Sequence, residues 1–233
     1  MTVRTIEFGD EGQVASRELV ARYERLAAAH PEVADESLEA GLRTLLRLDR
    51  QHGGNGPLPV EDSGDLVAAL LTALAHAEVA ARRPDLRAAA VDVAELTLGV
   101  AIWALRHEAP IPVVEPVANA LAVRSNLAAT KQELAAVFGL MQGVIASVGP
   151  QLGADLERSN PERPWRVLHA NFAITAIRTE DPVLMGHAFD ALDAALPDER
   201  ATFYAEALAL ALAPRVAPAV RDALQARNAR NLR

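Results

Sequence analysis

Apolar positions recur along this chain at intervals of three and four residues, the period of amphipathic helices rather than strands. Leu38, Leu42, Leu45, Leu46 and Asp49 trace the turns of a helix predicted over 35–51, and His52-Gly53 reads as its C-terminal stop. Ahead of it, Ser16 to Ala29 reads as a first helix, with Ser16 as N-cap and Pro31 just past the end. A third helix starts at Asp62 or Ser63 and runs to Arg83. Its stripe is Leu66, Leu70, Leu74 and Ala77, widened by Val67 and Leu71. Pro84 suits the first position of a fourth, ending near His107. Its second half, Leu96 to Leu105, is apolar nearly all round and belongs in the middle of the molecule.

Proline and glycine divide the rest. Gly53 to Pro59 (GGNGPLP) is a flexible connector, and Ala109 to Pro116 (APIPVVEP) cannot be helical. The second stretch separates an N-terminal half, 1–109, from a C-terminal half, 110–233, read as parts of one continuous domain. Beyond it, Pro116 starts a short helix to Ser125. Thr130-Lys-Gln-Glu133 has the capping-box pattern of a helix reaching about Val148, and 150–158 reads as another short helix. Pro164, Pro182, Pro197 and Pro214 each lie near a helix start. Their gaps of eighteen, fifteen and seventeen residues make helical hairpins of about 33 residues. Only Ile111 to Val114 could be a strand, and it is short and bounded by proline. The expected fold is all-α: antiparallel helical hairpins stacked into an α-α superhelix, with a closed helical bundle as the alternative.

The stretch Pro84-Asp-Leu-Arg-Ala-Ala-Ala-Val-Asp-Val-Ala-Glu-Leu96 resembles the second helix of a HEAT-type repeat, in which an acidic or proline turn precedes an apolar-Arg pair and alanines at helical spacing. Asp181-Pro182-Val-Leu184 with Ala188, Ala191 and Leu192 is similar, as is Pro218-Ala-Val-Arg-Asp-Ala-Leu224. The resemblance covers about a fifth of the chain. It implies an α-α superhelix whose work is binding other macromolecules.

Composition agrees with helices. About a fifth of the 233 residues are alanine, and a single lysine, Lys131, leaves arginine to carry nearly all positive charge. The net charge of -8 argues against nucleic acid as a partner, because such binding needs a basic face. Acids crowd the first forty residues and arginines the last twenty, which reads as solvated helix faces with cations favoured near a C-terminal helix end. The absence of cysteine excludes thiol nucleophiles, thiolate zinc sites and disulfides. The start, Met1 to Ala15, has no apolar core of a secretory signal, and no unbroken apolar run reaches the ~18 residues of a membrane span. A cytoplasmic protein without a membrane partner is the expectation.

The familiar catalytic signatures are missing. His107-Glu108 begins a zinc-hydrolase pattern, but Pro110 breaks the helix and no second histidine follows. The glycines at 53–56 precede no lysine, and no serine sits in a nucleophile elbow. Paired acids are the remaining enzymatic signal, since helical enzymes hold metal with acids on facing helices. Glu36 and Glu39 fall in a first helical turn, where acids are favoured anyway. Asp92 and Glu95, one turn apart on an apolar helix, are the alternative metal site; the plainer reading is a polar seam running to Arg106. His30, His52 and His107 read as helix-end caps, and His76 as solvated. His187 could be oriented by Asp190 one turn on.

The helix after Pro164 carries the candidate binding residues. Trp165 can face the core with Leu168 and Phe172, Arg166 and His169 share a second face, and Asn171 and Arg178 a third. Trp and Arg are enriched at interaction hot spots. The functional expectation is therefore a non-catalytic, cofactor-free protein- or peptide-binding scaffold. A metal-dependent all-α enzyme and a subunit of a homo-oligomer are the alternatives.

Overall fold

A computed structural model describes residues 12–152, 163–212 and 216–231. Among them the chain is all-α, with ten helices and no strand. The helices are α1 (Gly12–Ala29), α2 (Glu36–His52), α3 (Val60–Ala81), α4 (Arg87–Arg106), α5 (Glu115–Leu127), α6 (Lys131–Leu152), α7 (Pro164–Thr179), α8 (Pro182–Ala195), α9 (Arg200–Ala211) and α10 (Pro218–Asn231). The sequence neighbours α1 and α2, α3 and α4, α7 and α8, and α9 and α10 pack together as hairpins. The chain divides into two compact units: residues 1–126 with 146–150, and residues 127–145 with 151–233.

In the first unit the hairpins α1–α2 and α3–α4 stack, with α1 on α4 and α2 on α3. The core is the leucine stripe of α2 (Leu38, Leu42, Leu45), the stripe of α3 (Val67, Leu70, Leu71, Leu74) and nearly every side of α4. Val100, Ala101, Trp103 and Ala104 are all fully buried, as an all-round apolar helix requires. Gly99 lets α1 come close, because a Cβ there would lie 2.1 Å from Leu19 Cδ2. The second unit packs α7 on α8, and α10 on both α8 and α9. Phe138 of α6 stacks on Phe172 of α7, ring centroids 4.2 Å apart. The starts of α7, α8, α9 and α10 fall at residues 164, 182, 200 and 218, one every eighteen residues.

Local chemistry sets several helix ends. Asp35 Oδ1 accepts from the backbone N–H of Ser37 and Leu38 at 2.7 and 3.2 Å, and Asp181 does the same for Val183 and Leu184. Thr130 and Glu133 form the reciprocal capping box: the Glu133 N–H donates to Thr130 Oγ1, and the Thr130 N–H to the Glu133 carboxylate. Gly53 ends α2 at φ 77°, where a side chain would be strained.

Two expected caps are corrected. Ser16 lies inside α1, which begins four residues earlier, and its hydroxyl reaches a carboxylate on α2. Ser63 lies in the first turn of α3 and returns its hydroxyl to the Pro59 carbonyl at 2.9 Å. Of the short helix read at 150–158, residues 150–152 end α6 and 153–158 fall outside the described residues, as does Pro214.

Three helical segments, Ser63–Ala81, Pro84–Arg106 and Lys131–Gly149, are long and apolar enough to cross a membrane. Scattered polar residues interrupt each segment, so none is an unbroken apolar run although its average hydropathy is high. The Pro84–Arg106 segment uses much of its apolar surface inside the first unit.

Candidate functional site

Two polar arrangements stand out. The first is a knot around Asp49. Position 49 continues the apolar stripe of α2, so the fold carries a carboxylate into the core, where it is 0% exposed. A bare buried carboxylate costs several kcal/mol. Here four donors converge on it. The Ser16 hydroxyl of α1 and Arg106 Nη2 (3.3 Å) donate to Oδ2; Trp103 Nε1 (2.8 Å) and His107 Nε2 (2.7 Å) meet Oδ1. Burial pushes the Asp49 carboxyl up. The hydrogen bonds from His107, Ser16 and Trp103 and the charge of Arg106 outweigh that and hold it below the usual carboxylate range.

The knot also holds the glycine loop. Arg106 Nη1 donates to the Gly54 carbonyl at 2.8 Å, and His107 Nδ1 lies 2.8 Å from the Gly56 carbonyl. In return, the Gly56 and Leu58 N–H groups donate to the carbonyls of Arg106 and His107 at 3.2 Å each. His107 does stand at the end of α4, but it is fully buried in this network instead of capping toward solvent. The side chains of Ser16, Asp49, Trp103, Arg106 and His107 are all buried, and the knot joins α1, α2, α4 and the loop.

The second arrangement is open. A groove of about 200 Å³ in the second unit has Ala170, Leu192, Leu196 and Phe203 as its apolar lining, and Arg166, Asp198, Glu199 and Glu206 as its charged lining. Arg166 Nε donates to Glu199, and Arg163 Nη2 lies 3.7 Å from the same carboxylate. Glu199 is thus bridged by two guanidiniums. Past the groove, Ile174 lies one helical turn beyond Ala170, and Leu210 one turn beyond Glu206 and 78% exposed.

Of the five residues singled out on the helix after Pro164, Arg166 alone lines this groove. Trp165 stands edge-on to His169, centroids 4.3 Å apart. His169 does not share an open face with Arg166. It is 3% exposed, neither ring nitrogen has a hydrogen-bond partner among the described residues, and burial pushes its pKa down to about 4. Asn171 returns its amide to the Val167 carbonyl at 2.9 Å, and Arg178 donates to the Ala128 carbonyl at 3.3 Å.

The alternative metal residues hold arginines. Asp92 pairs with Arg22 at 2.8 Å, and Glu95 with Arg124 at 3.6 Å; the seam read as running to Arg106 stops short of it, since Gly99 packs against Leu19 and Arg106 is buried against Asp49. No group of three potential metal ligands occurs among the described residues. The His187–Asp190 pair is also corrected. Asp190 takes Arg227, and His187 sits edge-on to Phe138 and Phe172.

Comparison with protein-family models, with curated proteins and with solved structures finds no match for this chain.

Proposed function

We propose that this protein is a non-catalytic interaction module whose contact surface is the groove on α7, α8 and α9. One observation carries the reading: the open polar-rimmed apolar groove lies in the second unit, while the polar side chains gathered around Asp49 in the first unit are buried. Helix starts spaced by eighteen residues support the helical-repeat reading, and repeat arrays commonly bind partners on such surfaces. The partner is a protein or peptide segment. An amphipathic helix suits the place, setting apolar anchors on Leu196 and Phe203 and a basic residue toward Glu206.

A displayed library of helical peptides, selected on the whole chain, tests this. Enrichment of peptides with apolar residues at three- and four-residue spacing and a flanking Lys or Arg is expected. Glu206→Arg should abolish their capture while leaving the melting temperature within about 2 °C, since exposed surface changes move stability little. Selection that returns no such pattern, or capture indifferent to Glu206→Arg, overturns the assignment.

A further inference from the structure

We propose that Thr202 and Glu206 of α9 form a seat for the ammonium of a partner's lysine, selected over arginine; this rests on the groove being the contact surface. The two residues line the groove one helical turn apart, with Cβ atoms about 6 Å from each other. Their neighbours are engaged: Arg166 donates to Glu199, and Arg163 reaches the same carboxylate at 3.7 Å. Glu206 is exposed and has no hydrogen bond or ion pair among the described residues. Thr202 is exposed too. Thr44, Thr72 and Thr97 return their hydroxyls to the carbonyl four residues back, at 2.9, 2.8 and 2.9 Å. The Thr202 hydroxyl makes no such bond, nor any other among the described residues, and keeps its lone pairs for a donor in the groove.

The groove thus offers one open carboxylate and one open hydroxyl above an apolar floor of Leu196 and Phe203. Its complement is a cation on an apolar stem. The two acceptors sit on separate side chains, and that separation discriminates between the two basic residues. An ammonium is a compact charge with three diverging donors, and takes one bond from each wall position. Its four-carbon stem covers the apolar floor. A guanidinium is a planar fork matched to the two oxygens of a single carboxylate. Docked on Glu206 in that way, it leaves Thr202 unused and turns N–H groups toward Leu196 and Phe203, where they lose water without an acceptor. The first turn of a helix is unfavourable to a cation, and Asp198 and Glu199, immediately before α9, offset that field.

A displayed library of helical peptides with Lys and Arg equally encoded, selected on the whole chain, tests the seat. Lys should exceed Arg at the flanking position. In a matched pair of enriched peptides, the Lys form should bind about ten-fold more tightly than the Arg form, the worth of one hydrogen bond to a charged group. Thr202→Val should erase that difference by weakening the Lys form alone, Thr202→Ser should keep it, and Glu206→Gln should weaken both forms. n-Butylammonium, the end of a lysine side chain by itself, should compete only at concentrations far above the peptide. Arg equal or preferred in the unaltered chain, or a Lys preference that survives Thr202→Val, overturns the seat and leaves the groove reading standing. Butylammonium that matches the Lys peptide gives the site to a free amine and overturns the partner-borne lysine. A library that returns no groove-binding peptide fails the groove reading, and the seat with it.

Discussion

Trp103 and Asp49, 54 positions apart in sequence, are joined in the core of the first unit by an indole N–H donated to Oδ1 at 2.8 Å. The bond makes the bulkiest side chain of α4 and the polar position of the α2 stripe mutually dependent. Asp49→Asn leaves the Arg106 guanidinium buried without its counter-charge, and breaking such a pair costs about 3–5 kcal/mol. Ser16→Ala removes one donor and should cost about 1 kcal/mol. Urea denaturation monitored by circular dichroism separates the two, and equal losses would contradict a charge-centred knot. The sign with pH follows from the lowered Asp49 carboxyl. Its contribution is fully present above the ordinary carboxylate range, and is lost as pH falls through the depressed native value.

Helices and several of their ends are legible in the chain because they depend on residues within a turn. Thr130 and Glu133 are three apart, and Gly53 follows its helix directly. The knot is not legible in that way. Asp49 falls in register with Leu38, Leu42 and Leu45, and an acid on an apolar stripe signals a buried partner. Which partner depends on α1 and α4 packing against or near α2, so Ser16 reads locally as a cap and His107 as a helix end. His169 fails for a related reason. Helical spacing places it beside Arg166, but whether that face meets solvent is decided by neighbours outside the helix.

Burial of His169 makes acid stability depend on one ring. Its native pKa of about 4 lies below the ordinary value, so the unfolded chain takes up a proton first. Stability from the neutral ring is full above about pH 6.5 and declines toward pH 4, by up to about 3 kcal/mol. His169→Leu should flatten that slope in thermal melts between pH 7 and 4.5. It should also raise stability at neutral pH by about 1 kcal/mol, because two unpartnered nitrogens are removed. An unchanged pH slope would place the acid sensitivity elsewhere.

Gly99→Ala tests the approach of α1 to α4. Alanine gains up to about 1 kcal/mol in helix propensity. The added methyl would meet Leu19 at 2.1 Å, and Leu19 is itself in the core. Overpacking of this kind costs about 1–3 kcal/mol, so a net loss is expected. Leu19→Ala in the same chain makes room, and the Gly99→Ala penalty should shrink or reverse in that background. A penalty independent of residue 19 would assign the glycine another role.

Arg227 fixes α10 to α8 through two acids of unequal worth. Nη1 reaches Asp193 at 2.8 Å, and the Tyr204 hydroxyl also donates to Asp193, at 2.9 Å. Nη2 reaches Asp190, whose side chain is 73% exposed. An exposed pair contributes little, whereas Asp193 is half-enclosed and serves a buried tyrosine. Burial raises the Tyr204 hydroxyl pKa, and the hydrogen bond with Asp193 raises it further, so this hydroxyl stays a donor throughout the neutral range. Asp190→Asn should therefore change stability by less than about 0.5 kcal/mol. Asp193→Asn should cost about 1–3 kcal/mol, since it weakens two charge-assisted bonds at once. Arg227→Met should fall between them, its long chain still covering the Phe189 ring over which the guanidinium lies at 5.8 Å. Denaturation midpoints give the order, and amide exchange along α10 shows whether the helix loosens. Equal effects at Asp190 and Asp193 would mean that Arg227 acts through packing alone.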